Sequence, residues 1–240
     1  MAYRSSSLGT PANNTTHTVA VPGSLTNGDK VLIYFIEDLS TTSPSGVPSG
    51  FTVHATSSST ASTWRSMSVR MWWKDITDAG SEGSGGNYTM TFGSAAIGYM
   101  IAVAFSGRGT GAPTVTATDD GAAAASPLSV ALSGVTAATA DDIAWLGVLA
   151  PMDDGDMYSM TSTFAPPTNY TERQELGGLW RISELATRDN VSSGATGTIT
   201  GTATFTEVAT SRFTGLVATM AASGGGGGST GSKLLLLGVG

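Results

Sequence analysis

Histidine, aspartate and tryptophan are the residues here whose types and spacing could do chemistry. Only His17 and His54 occur, in separate strand-like segments, so a histidine metal cage or a Ser-His-Asp triad lacks its raw material. Each is expected as a partly exposed strand residue. Cysteine is absent, which removes disulfides, thiolate metal sites and thiol nucleophiles together. Asp153, Asp154 and Asp156 in PMDDGDMY form the densest carboxylate cluster; three oxygen donors around a glycine turn could hold Ca²⁺, but the spacing is not that of an EF-hand loop. A plain acidic turn is the simpler reading. Nothing selects two carboxylates facing one cleft, as glycoside hydrolysis needs. No catalytic residue, metal or cofactor is therefore expected, and the chain is read as a non-enzyme.

The tryptophans point to a different chemistry. Trp64, Trp72 and Trp73 cluster with Arg65, Arg70 and Lys74, and aromatic rings beside polar groups grip sugars by stacking on the apolar faces of the ring. Trp64, Trp73 and Trp180 are the candidate glycan-binding residues, with packing as the plainer role. On a strand, Trp72 and Trp73 face opposite ways, so at most one lies in a core and the other is exposed, at an edge or in an interface.

Composition narrows the partners. Eleven Lys and Arg are scattered singly in a chain of formal charge −7, which gives no footprint for a phosphate backbone. No apolar run reaches the roughly 18 residues that spanning a bilayer requires, and the opening MAYRSSSLGTP lacks the apolar core of a signal peptide. Neither nucleic-acid binding nor membrane insertion is expected.

The elements that must position these residues read as strands. HTVAVP (17–22), KVLIYFI (30–36), FTVHA (51–55), RSMSVRMWW (65–73), NYTMTF (87–92) and GYMIAVAF (98–105) are separated by turn signals such as Asn27-Gly28-Asp29 and Pro48-Ser49-Gly50. A second series follows: PLSVALSGV (127–135), DIAWLGVLA (142–150), NYTERQE (169–175), LWRISELA (179–186), TGTITGTATF (196–205) and RFTGLVATM (212–220). The series correspond: Gly28-Asp29-Lys30-Val31-Leu32 aligns with Asp141-Asp142-Ile143-Ala144-Trp145, Pro48-Ser49-Gly50-Phe51-Thr52 with Pro167-Thr168-Asn169-Tyr170-Thr171, and Tyr88 to Phe92 with Gly201 to Phe205. This places Asp29 and Asp142 at equivalent hairpin entries, accepting turn N–H bonds. The expected fold is all-β, an antiparallel, jelly-roll-like β-sandwich of two internally repeated halves, 1–112 and 113–222. GAAAA (121–125) is expected in the linker between them. Residues 223–232 are a Gly-rich linker, and 233–240, with Leu234, Leu235, Leu236, Leu237 and Val239, form an apolar assembly anchor. A homo-oligomer is expected.

Gly28-Asp29-Lys30-Val31-Leu32-Ile33 after Asn27, then Pro48-Ser49-Gly50-Phe51-Thr52, then Tyr88-Thr89-Met90-Thr91-Phe92, and in the second half Arg188-Asp189 with Ser-Gly-Ala-Thr-Gly at 193–197, together resemble β-sandwich proteins common among bacteriophage virion genes. The glycine linker ending in leucines is similar to phage structural proteins. The chain departs in having Phe51 and Tyr170 where that family often has Trp, and Asp141-Asp142 for the second Gly-Asp. The resemblance implies a non-catalytic virion protein, assembled in the host cytoplasm and displayed on the particle as a head decoration, fibre or tail component. Its partners would be other virion proteins, with a cell-surface glycan on the host as the alternative ligand of a receptor-binding module.

Overall fold

The computed structural model describes residues 3–38, 43–61, 65–82, 86–151, 162–176, 182–206 and 211–222. The first strands are β1 (Tyr3–Leu8), β2 (Ala12–Ala20), β3 (Lys30–Asp38), β4 (Pro44–Gly46), β5 (Thr52–Ala61), β6 (Arg65–Asp75) and β7 (Asn87–Phe105). Then come β8 (Thr114–Ala124), β9 (Leu128–Leu132), β10 (Thr136–Ala137), β11 (Asp142–Pro151), β12 (Ser162–Ala165), β13 (Thr171–Leu176), β14 (Ile182–Arg188), β15 (Gly194–Ala195), β16 (Ile199–Phe205) and β17 (Ser211–Met220). Every pairing among these strands is antiparallel. The protein is all-β, and among the described residues its one helical element is a 3₁₀ turn at Ala79–Ser81.

Pairing order runs β1-β7-β3-β6-β5 in the first large sheet and β13-β14-β11-β17-β8 in the second. Read from the other end, the second is β8-β17-β11-β14-β13. Beside the first lies a smaller layer in which the N-terminal part of β7 pairs β2 and β4; beside the second, β16 pairs β9 and β12. Thus β7, at 19 residues, serves both layers with one strand, where the second set uses β16 and β17.

The apolar pattern of β3 explains the stacking. Val31, Ile33 and Phe35 face a core shared with Val19, Tyr88, Met90 and Phe92 of the small layer. Leu32, Tyr34 and Ile36 face the other way, into a core that also holds Leu146, Val148, Leu185, Leu216 and Met220 of the second large sheet. A strand buried on both faces reads as a continuous apolar run rather than an alternation, and KVLIYFI is one. A third core, with Trp145 at its centre, lies between the second large sheet and β9, β12 and β16. Polar contacts also cross the shared core: Tyr99 Oη donates to Ser183 Oγ at 2.7 Å, Gln174 Nε2 to Ser6 Oγ at 2.9 Å, and the Arg173 guanidinium lies 3.7 Å over the Tyr3 ring.

Several expectations from the sequence need correction. Thr26 N–H donates to Asp29 Oδ2 at 2.8 Å and Ala138 N–H to Asp141 Oδ2 at 2.7 Å. Gly28 N–H bonds Ile76 O as Ala140 N–H bonds Val191 O, and both Gly28 (φ 90°) and Ala140 (φ 68°) are left-handed. The counterpart of Asp29 is therefore Asp141, one residue before the aligned Asp142. Asp142, fully buried, instead pairs with Arg108 Nη2 at 2.6 Å. Burial pushes its carboxyl up to about 6, against the Asn190 N–H and Arg108, which favour the charged form. The stretch 121–125 is not a linker: β8 runs through Ala124 and pairs β17. His17 is 3% exposed rather than partly exposed, its Nε2 donating toward Ala96 O at 3.0 Å and Asn14 O at 3.1 Å; burial lowers its pKa from the usual range. His54 is an exposed strand residue, as expected.

Candidate functional site

A small layer of three strands lies against each five-stranded sheet, and in the first half an open cleft of about 590 Å³ lies where β5 and β6 meet β4. This volume falls in the range of ligand-binding clefts. Its floor is Val53, Thr56, Arg70 and Trp72; Pro44 and Val47 line it from the other side. Val53 pairs with Trp72, and Thr56 with Arg70, so the four form a two-by-two patch on one face of the sheet. Val47 and Val53, 40% and 62% exposed, are the exposed large hydrophobic residues among those described, and both border this cleft.

The polar base of the cleft is anchored from below. Arg70 Nη2 lies 3.5 Å from Glu37 Oε2, which also accepts from Ser68 Oγ at 3.1 Å. Glu37 is fully buried, so the guanidinium and hydroxyl compensate a carboxylate that would otherwise be costly to desolvate. Phe51, at the Pro48-Ser49-Gly50 turn, packs edge-on to Tyr88 with centroids 5.0 Å apart. Gly50 has φ 81° and its second-half counterpart Asn169 has φ 69°, the left-handed conformation that glycine and asparagine tolerate best.

The corresponding patch of the second half has opposite chemistry. β13 and β14 pair Glu172 with Ala186 and Glu175 with Glu184, after a one-residue bulge at Arg173 that matches the bulge at His54. Glu172, Glu175, Glu184 and Ala186 thus stand where Val53, Thr56, Arg70 and Trp72 stand. Glu175 Oε1 accepts from Phe164 N–H of β12 at 3.0 Å. Glu184 is fully buried, and neither of its carboxyl oxygens has a hydrogen-bond partner among the described residues. Burial, reinforced by Glu172 and Glu175, pushes its pKa up to about 8. At neutral pH it is held as the uncharged acid.

A pH dependence follows. The unfolded Glu184 carboxyl ionises near 4.5 and the folded one near 8, so folding takes up a proton between these values. The associated stability is fully present below about pH 4.5 and declines as pH rises to about 8, by on the order of 1 kcal/mol per pH unit. Glu184→Gln is neutral at every pH. Urea unfolding at pH 5, 7 and 9 is expected to show the wild type losing stability more steeply than Glu184→Gln; parallel profiles would refute the assignment.

The residues singled out from sequence fare differently. Trp73 is half-buried against the core between the large sheets, with the Lys30 ammonium 4.5 Å from its ring centroid, so that face of the indole is occupied. Trp72 packs into the first-half core at 3% exposure. Trp64, Trp180, the Asp153, Asp154 and Asp156 cluster and the 233–240 segment lie outside the described residues. Among the described residues no group of three His, Asp or Glu is arranged to hold a metal ion. Arg70 was named only as a polar neighbour of the tryptophans, and the three glutamates were missed, although one signal was available: in Ile182-Ser-Glu184-Leu-Ala186 the acid occupies an inward position between Ile182 and Ala186.

No family model matches the chain, and no curated protein or solved structure is similar to it at a significant level.

Proposed function

We propose that this chain is a non-catalytic structural protein of a bacteriophage particle, displayed as a head decoration, fibre or tail-associated subunit. In this reading 1–112 and 113–222 are duplicated antiparallel sandwiches, and 223–240 is a tether and anchor to other virion proteins or further copies. The observation that carries the proposal is the shared core: two large sheets of the same strand order bury their faces against each other, giving one stiff body suited to bearing load in an assembly. The jelly-roll likeness is supported by β1 to β5 alternating between the large sheet and the smaller layer, as strands do when a ribbon is wrapped into two layers. Leu234 to Leu237 and Val239 supply the apolar surface such a body needs to dock.

Solution mass tests this. The full chain is expected to be a defined multimer by light scattering, and a Leu235→Asp/Leu236→Asp variant of the full chain a folded monomer at the same concentration. Identical monomers would overturn the anchor and leave a monovalent body, for which glycan recognition is the better reading.

A further inference from the structure

We infer that the cleft beside β4 is the docking site for segment 233–240 of a second copy of this chain. The inference rests on the anchor reading above and adds its receptor. Three observations carry it. Beside the polar Thr56 and Arg70 the cleft carries a continuous apolar border of Pro44, Val47, Val53 and Trp72, and Val47 and Val53 are both open to water. It lies beside β4, which among the described residues pairs β7 alone; an extended segment laid there would widen the three-stranded layer over β5 and β6. The sequence contains one segment of matching character outside the described residues: Lys233-Leu-Leu-Leu-Leu-Gly-Val-Gly, uncharged after Lys233 and of strand length.

Geometry favours a second copy. In an extended segment Leu234 and Leu236 face one way, Leu235, Leu237 and Val239 the other. One groove buries one row, and the second row is covered only where two bodies meet. The linker 223–232 begins where Ala222 bridges Arg108, and its ten residues reach roughly 35 Å when extended. Arg108 N–H bonds Gly28 O, just before β3, whereas Arg70 in the cleft pairs Phe35 farther along that strand. The segment therefore leaves from the end of the sheet away from the Arg70 part of the cleft, with enough tether to reach a neighbouring body.

The chain has no cysteine, so introduced thiols report one contact. Val53→Cys alters a residue 62% exposed and leaves the core intact. A Val53→Cys chain, lengthened by a tag so that its products are distinguishable by mass, is mixed with a Leu236→Cys full chain and mildly oxidised. The expected result is a covalent pair of unlike chains at least tenfold more abundant than with Asn13→Cys, an exposed position on β2, in place of Val53→Cys. In a second measurement, Val53→Glu in the full chain is expected to weaken self-association at least tenfold by light scattering. A disulfide formed only within a single Val53→Cys/Leu236→Cys chain overturns docking between copies, and no cross-link above the Asn13→Cys level overturns the site. If self-association survives Val53→Glu but is lost in Leu235→Asp/Leu236→Asp, the anchor stands and this receptor is wrong; if the wild type does not self-associate, both fall.

Discussion

Leu146→Asp is expected to unfold the whole chain, first-half strands included. Leu146 is fully buried and pairs with Leu185 on one side and Leu216 on the other, all within the core that also takes Leu32, Tyr34 and Ile36. Placing a carboxylate there forfeits about 2 kcal/mol of apolar burial and adds several kcal/mol for desolvating an unpaired charge. The total approaches the 5–15 kcal/mol by which whole domains are stable. Because both large sheets contribute to this core, the damage is not confined to one of them. Circular dichroism should show the wild type melting in one transition and Leu146→Asp without a native baseline, while Leu146→Ala, which leaves a cavity but no charge, should retain the fold at a cost of roughly 3–5 kcal/mol. A Leu146→Asp protein in which β3 and β6 keep wild-type amide protection would contradict the coupling.

Trp145→Ala is expected to cost about 3–5 kcal/mol, at the upper end for a core substitution. The indole is fully buried, its N–H donates to Ile199 O at 3.3 Å, and its ring meets Phe164 edge-on at 6.3 Å between centroids. Two glycines make room for it. A side chain at Gly147 would strike the ring directly, and a Cβ at Gly201 would lie 2.8 Å from it. A site shaped by glycines on two strands cannot refill by a rotamer change, so the cavity persists. Urea unfolding of Trp145→Phe should fall between wild type and Trp145→Ala, since it keeps most of the volume but not the hydrogen bond. An alanine variant within 1 kcal/mol of wild type would mean that the site collapses.

Much of the β architecture was legible because strand burial writes itself into residue order. KVLIYFI was legible as a strand, its burial on both faces being shown by the two cores it joins, and the segment around 179–186, rich in helix formers, resolves to β14 over its described part because Ile182, Glu184 and Ala186 must share one face. What escaped was pattern without apolar contrast. β1, Tyr-Arg-Ser-Ser-Ser-Leu, has no inward row, and all six residues are half-buried; it is held by pairing with β7 and by Arg4, whose Nε lies 2.7 Å from Asp29. The end of β8, from Gly121 on, reads as a linker because glycine and the alanines after it carry little strand preference. The Asp29 alignment slipped by one because consecutive aspartates offer two matches, and only the hydrogen bonds distinguish the turn carboxylate from the buried partner of Arg108. The cleft was illegible for a related reason: Val53 and Trp72 are adjacent only through the β5–β6 register, and the bulge at His54 shifts that register by one residue.

That matched register has a consequence for how copies of this body can be joined. Two identical chains related by a twofold axis must present the same groove twice and favour contacts that close on themselves. Here the two corresponding patches belong to one polypeptide and differ: one carries Val53, Thr56, Arg70 and Trp72 and opens as a cleft, the other carries Glu172, Glu175, Glu184 and Ala186. The body consequently has a front and a back. Copies joined through two unlike patches add to one another in a single direction, which is how rings, sleeves and filaments acquire a sense.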